Sequence, residues 1–528
     1  MFVTGATGFV GKAVVEKLLR HAPDLKRIYM LIRPKNRSNG VQITAEQRLC
    51  REVIPSSVFD QLRSDLGGRF DRMVQEKLVA VSFDLTLERL GIAPLLYEQM
   101  AQEVDIVISC AAAVVFDEPL DLALEQNTLG PKRIVEFARA CQSAVLVHVS
   151  TAYVNGQRTG RISEEVWQPD QTVAQKISNG RVPAYGLESE IASIQKFSKE
   201  VELASHQPEL QAQFVRMLDR QDRGKRVTEH RRVHQVEALR QRWKREQLVE
   251  RGQVRGQELG WLDGYTMTKA MGEQIIVKMR GDLPTAIVRP SIIESSLSDP
   301  EPGWIDGLKV ADPLIAHYGK GRLPDFPANP DAILDIIPVD YVTNVILSVL
   351  PKVRQSKDVQ VYHVTTGSHN PILVRELVDL VREYFIQHPF RDRNGKPIPV
   401  LPWKYRPLKQ YLRRCRYRQQ LPLKAMLWLM DRVPLLWSSR FKRRISLLDA
   451  MLDNALSLCE IYSPYTNLDC EFQMENIHKL QAEMDPQERE IFNCDVSRIH
   501  WPDYMQKIHI PGLKRHVLKT GEASKENR

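Results

Sequence analysis

The chain has 528 residues, 43% of them hydrophobic and 26% charged, with a formal net charge of +9. That composition excludes a wholly disordered chain, and that length exceeds one ordinary core, so two or three domains are expected. The basic balance favours an anionic partner without choosing among phosphorylated small molecules, an acidic membrane surface and nucleic acid.

Seven cysteines, an odd number with no Cys-x-x-Cys pair, argue against a disulfide framework and a zinc site. We expect no metal, and reduced thiols in the cytoplasm.

In chain order, residues 1–4, 28–32, 78–83, 106–110 and 144–149 read as short buried strands. Helical periods at 12–21 and 120–141 lie between them. Strands alternating with helices predict an α/β fold with a doubly wound parallel sheet, the NADP-binding part spanning 1–164. Glycines break the apolar residues of 1–20, so no signal peptide is read there. The first strand is short for a sheet centre, and we expect either that the natural start lies upstream or that the strand is unusually short.

Residues 165–260 are rich in Arg, Gln, Glu and Lys. Val236, Leu239 and Trp243 recur on one helical face, which predicts a basic helical insertion. It reads either as a solvated face or as a lid for an anionic substrate. Residues 261–365 resume the α/β pattern, with a strand at 286–288. Residues 366–515 read as a helical C-terminal domain and 516–528 as a polar tail. The apolar run 421–437 contains Lys424, Asp431, Arg432 and Pro434, so it is a poor spanning segment and a better amphipathic or core helix.

The first motif is Thr4-Gly5-Ala6-Thr7-Gly8-Phe9-Val10-Gly11, in which a strand runs into glycines three apart and then into a helix. Gly5 permits the tight turn, Gly8 lets a pyrophosphate approach the backbone, and Gly11 lets helix and sheet pack closely. The helix start offers N–H groups to phosphate. The next strand ends near Arg33 and Lys35, with Arg37 following, where an acid would suit NADH. A guanidinium there suits the extra phosphate of NADPH.

The second motif is Tyr265-x-x-x-Lys269, with both side chains on one helix face. A phenol near an ammonium can hand a proton to a carbonyl oxygen, and the ammonium is expected to lower the phenol's pKa. Its companion is a hydroxyl at the end of strand 144–149, Thr151 or its neighbour Ser150, placed to polarise that carbonyl. Cys110 stands at a small-residue strand end, where packing is the expected role rather than covalent catalysis.

These motifs together resemble the extended short-chain dehydrogenase/reductase superfamily. More narrowly the chain is similar to fatty acyl-CoA reductases, bacterial members in particular. The narrower resemblance rests on Val149–Asn155, Arg289–Ser295, Glu301–Asp306, Ile337–Asp340 and Tyr504–His509 with Gly512-Leu513. It implies Thr151, Tyr265 and Lys269 as catalytic residues. It also implies cofactor contacts from Thr4, Gly5, Thr7, Gly8, Phe9, Val10, Gly11, Arg33, Lys35, Asp84, Leu85, Ala111, Ala112, Asn127, Tyr265, Lys269, Pro290, Ser291 and Ile293.

The implied reaction is NADPH-dependent reduction of a long-chain acyl-CoA to the alcohol through an aldehyde. A reductase that stops at the aldehyde or takes acyl carrier protein, and a nucleotide-sugar epimerase or dehydratase, are the alternatives. The net charge alone supports nucleic-acid binding, and none is expected. Contact with a membrane face is expected only at the periphery, and the oligomeric state is open.

Overall fold

The computed structural model describes residues 1–36, 40–178, 180, 182–221, 228–323, 325–392, 394–432, 437 and 439–519. Seven parallel strands form the central sheet: β1 (Phe2–Thr4), β2 (Ile28–Ile32), β3 (Leu78–Ser82), β4 (Ile106–Ser109), β5 (Val145–Val149), β6 (Thr285–Pro290) and β7 (Gln360–Val364). Their spatial order is β7-β6-β5-β4-β1-β2-β3. The order reverses beside β1, between β4 and β2. Such a switch point opens a crevice at the carboxyl ends of the strands, where doubly wound folds take ligands.

The strands are almost wholly buried because helices cover both faces, which is why they read as continuous apolar runs. The predicted strands all form, and the one expected at 286–288 extends over β6. β1 has three residues yet lies at the sheet centre, bonded on both sides.

Helix α1 (Phe9–His21) follows the glycine loop. The helix expected over 120–141 runs from Leu120 through α2 (Gly130–Ala140), but five residues in its middle, Glu125–Leu129, adopt π-helical hydrogen bonding. The insertion contains α3 (Glu229–Glu258), whose half-buried face includes Val236, Leu239 and Trp243 as the periodicity predicts. α3 packs on α4 (Gly264–Met279), the helix that carries Tyr265 and Lys269.

The C-terminal region is mostly helical, with α5 (Leu421–Arg432) and α6 (Ser439–Tyr462) forming a hairpin. Of the apolar run 421–437, residues 433–436, and with them Pro434, lie outside the described residues. So do Arg37 and most of the polar tail. After α6 the chain returns to the first half: Cys470–Phe472 pairs in parallel with Gly160–Ile162. No helix among the described residues is long and apolar enough to cross a membrane.

Candidate active site

A cavity of about 760 Å³ lies along the carboxyl edge of the sheet. At one end is the glycine loop. Gly5 has φ +70°, and a Cβ there would come within 2.8 Å of the Ala111 nitrogen. A Cβ on Gly11 would stand 2.2 Å from the Gly5 carbonyl oxygen, so both positions exclude any side chain. Gly8 heads α1, faces the cavity and supplies no side-chain cap to the helix. Helix N–H groups and bare backbone are thus presented to the cavity, and this cradle fits a dinucleotide pyrophosphate.

Arg33, Lys35 and Arg48 line the far side of that end. Lys35 is 3.4 Å from Glu52, and the nearly buried Arg48 guanidinium is bonded to Glu52 and the Arg33 carbonyl. Among the described residues no carboxylate lining the cavity stands at the end of β2, and the one acid in its lining is Asp117.

At the other end, Thr151, Tyr265 and Lys269 converge. β5 delivers Thr151, which caps the short turn Ala152–Asn155 by accepting from the Tyr153 N–H at 3.3 Å. Asp263 caps α4 through a reciprocal bond with Thr266 and fixes where that helix begins. The Thr151 hydroxyl donates to the Pro290 carbonyl at 3.4 Å and lies close enough to the Tyr265 phenol to draw its pKa down. The neighbouring Ser150 hydroxyl is buried without a partner. Lys269, 1% exposed, donates to the Val149 carbonyl at 2.8 Å.

The expected lowering of the tyrosine pKa by its lysine is not what the structure shows. Burial pushes the Tyr265 phenol well above its ordinary value, the Asp263 carboxylate adds to the rise, and only the Thr151 hydroxyl opposes it. Lys269 points to the β5 carbonyl instead, and burial lowers its own pKa to about 8. A phenol so placed holds its proton at neutral pH and is a donor, the role a carbonyl reduction needs. Burial likewise pushes the Cys110 thiol up to about 12, which makes it a poor nucleophile.

Two family models match the chain, both described as male sterility protein: an NAD-binding model over residues 3–346 and a second over 426–520. The fatty acyl-CoA reductase 2, chloroplastic, of Arabidopsis thaliana is 32% identical over 98% of this chain and 78% of that protein. The alcohol-forming fatty acyl-CoA reductase of Simmondsia chinensis is 31% identical over 98% of this chain and 97% of that protein. The chain belongs to the fatty acyl-CoA reductase family. Among solved structures, the terminal R domain of the myxalamid PKS-NRPS pathway is similar in fold. Its TM-score is 0.54 at 16% identity, over 97% of this chain and 90% of that one.

In this reductase most of the residues singled out from sequence line one cavity: Gly5, Thr7, Gly8, Phe9, Val10 and Gly11 at the loop, Arg33 and Lys35 beyond it. Leu85, Ala111, Ala112, Thr151, Tyr265, Lys269, Pro290, Ser291 and Ile293 complete the set. Three do not face it. Thr4 accepts the Ala111 N–H at 3.0 Å, and Asn127 clamps the backbone of Ala113 at 2.9 and 3.1 Å. Asp84 accepts from the backbone and hydroxyl of Thr86. Each side chain is spent on holding a wall segment, so its effect on a ligand is through position.

The sequence did not single out the aromatic wall. Phe116 sets its ring edge against Tyr265 at 5.6 Å and also meets Tyr462 and Tyr465. Tyr465 donates to Asp263 Oδ2 at 2.6 Å, so a residue of the last quarter of the chain steadies the cap of the catalytic helix. No local periodicity marks Phe116 or Tyr465; long-range folding alone brings them in.

The basic insertion touches this wall. Arg245 donates to the Asp117 carbonyl and carboxylate, and Gln253 to the Phe116 carbonyl. Many of its other cations are already matched by acids: Arg240 and Lys244 by Glu202, Arg255 by Glu190. These contacts tie the insertion to the cavity wall, with many of its cations paired to acids.

Proposed function

We propose that this family member reduces long-chain fatty acyl-CoA to the fatty alcohol in two NADPH-dependent steps. The observation that carries the reading is one cavity with a phosphate cradle at one end and Thr151, Tyr265 and Lys269 at the other. The cofactor would supply hydride. Gly8 and the α1 N-terminus would hold its pyrophosphate and Arg33 its extra phosphate, while Lys269 would hold the nicotinamide ribose. Thr151 and Tyr265 would both bond the thioester carbonyl oxygen and stabilise the charge that builds on it as hydride arrives. Tyr265 gives up its proton to that oxygen. The hemithioacetal collapses with loss of coenzyme A, and the same three groups then act on the aldehyde.

The acyl chain is assigned to the apolar part of the cavity, between Val114, Val115, Leu308 and Val310, with Tyr462 at the foot of α6. The rest of the hairpin supports a peripheral contact with an anionic membrane. Leu421, Trp428, Leu447 and Met451 are exposed, and Arg443 and Arg444 flank them.

The test is palmitoyl-CoA with excess NADPH, followed by product extraction. Two NADPH oxidised per coenzyme A released, with hexadecanol formed, is expected. One NADPH with accumulating aldehyde would cut the reading back to the first reduction, and turnover with NADH but not NADPH would remove the role given to Arg33. Replacing Tyr265 with Phe is expected to cost at least ~100-fold in kcat while dinucleotide affinity stays within a few-fold. Unimpaired turnover would exclude Tyr265 as the donor.

A further inference from the structure

Behind the cavity wall lies a cluster that the reduction does not use. Glu294 ends the short strand Ile292–Glu294, Asp312 begins the helix Asp312–Gly319, and His509 comes from the last turns of the chain. All three are at most 1% exposed. One ligand atom from each, a carboxylate oxygen or the imidazole Nε2, lies within 4.8 Å of the other two. Glu294 Oε2, Asp312 Oδ1 and His509 Nε2 have no hydrogen-bond partner. Nε2 is 3.2 Å from Asp312 Oδ1 and 4.0 Å from Glu294 Oε2, yet neither approach has hydrogen-bond geometry.

The other polar atom of each group is engaged. His509 Nδ1 meets the Ser295 hydroxyl at 3.0 Å, the other Glu294 oxygen accepts the Ala311 N–H at 3.3 Å, and the other Asp312 oxygen accepts the Lys309 N–H at 2.6 Å. The Tyr504 ring stacks on the imidazole. Three inner atoms left over, each oriented through its outer atom, is the arrangement that metal ligands and their supporting bonds adopt.

Charge points the same way. Two buried carboxylates this close repel each other when both are charged. Among the described residues no lysine or arginine forms an ion pair with either acid. The nearest, Lys309, turns its ammonium over the Phe9 ring and onto the Asp306 carbonyl. A divalent cation would neutralise the pair and satisfy all three atoms, whereas a proton shared between the acids leaves the imidazole nitrogen without a partner.

We propose that Glu294, Asp312 and His509 form a structural site for a divalent transition metal. One imidazole and two carboxylates suit zinc or manganese. The ion would pin the C-terminal segment to Leu308, Lys309 and Val310 of the cavity wall. The expectation of no metal came from cysteine spacing, and this cluster contains no cysteine and spans more than two hundred residues of sequence.

The test uses the full chain, expressed in medium supplemented with zinc or manganese and purified without chelator. Elemental analysis is expected to find about one ion per chain, absent from Glu294→Gln and Asp312→Asn. Chelation should lower the Tm of the unaltered chain, and added zinc or manganese should restore it. An ion that persists in both variants, or a chain that is metal-free and whose Tm ignores the chelator, would overturn the site and leave a proton-sharing acid pair. Should the variants aggregate, cobalt loaded into the unaltered chain answers the same question. Visible bands of a nitrogen–oxygen donor set support the site, and thiolate charge-transfer bands or the spectrum of the aqueous ion overturn it.

Discussion

At the scale of single residues, burial governs the chemistry. Lys269 titrates near 8 in the fold against an ordinary 10.5, because burial opposes its charge more than Glu273 and Cys110 support it. Between those two pH values the unfolded chain binds the extra proton, so this lysine's contribution to stability rises with pH. Its hold on an anionic dinucleotide runs the other way. Affinity for NADPH, read by quenching of its fluorescence, should fall as pH passes about 8, and Lys269→Met should flatten that fall. A decline of equal size in the variant would assign it elsewhere. The raised Cys110 thiol carries a separate expectation: Cys110→Ala should keep activity within a few-fold, and trapping of an acyl-enzyme at Cys110 would refute the hydride-only route.

Thr151 and Ser150 illustrate what sequence could and could not decide. Both are hydroxyls at one strand end and both line the cavity; in the fold Thr151 acts on the Tyr265 phenol, while the buried Ser150 hydroxyl has no hydrogen-bond partner. Thr151→Val should therefore cost far more turnover than Ser150→Ala in the same assay, and the reverse order would reassign the carbonyl contact.

At the scale of elements, the catalytic helix α4 is held by close approaches and one buried ion pair. A Cβ on Gly272 would lie 2.1 Å from the Asn127 carbonyl, at the π-helical turn that interrupts the 120–140 helix. Glu273 takes the Arg289 guanidinium of β6 through two bonds of 3.0 and 2.6 Å, both side chains fully buried. Arg289→Met leaves that carboxylate alone in the core and should cost about 3–5 kcal/mol. Denaturant unfolding of Arg289→Met beside the Arg289→Met/Glu273→Leu double variant checks this, since the double change should recover part of the loss. A double variant no more stable than the single one would show that the cost lies in packing.

The strands and the glycine loop were legible because their signals are local: buried parallel strands are apolar runs, and the loop's glycines sit where any Cβ would collide. The π-helical turn was not legible in the local pattern, and its close neighbour Gly272 lies on a helix more than a hundred residues away. Thr4, Asp84 and Asn127 were expected to touch the cofactor, but they lie outside the cavity lining and hold Ala111, Thr86 and Ala113, work no local signal marks.

At the scale of the whole molecule, the cavity joins distant parts of the chain: Thr151, Tyr265 and Lys269 come well before the last quarter, which adds Tyr462 and Tyr465 to one side of the wall. Tyr465 is the join: it bonds Asp263, and its ring lies against Phe116 and Tyr153. Tyr465→Phe removes one buried bond to a carboxylate, about 1.5–3 kcal/mol by the usual worth of such bonds. It should lower Tm and kcat together while NADPH affinity holds. A kcat that is unchanged despite the lower Tm would confine Tyr465 to stability.

The late pairing of Cys470–Phe472 with Gly160–Ile162 also sets an order of events during synthesis. The cofactor cradle, Thr151, Tyr265 and Lys269 leave the ribosome well before Tyr465 is made. A nascent chain thus has its glycine loop and its three converging side chains in hand before Tyr462 and Tyr465 exist to close that side of the cavity.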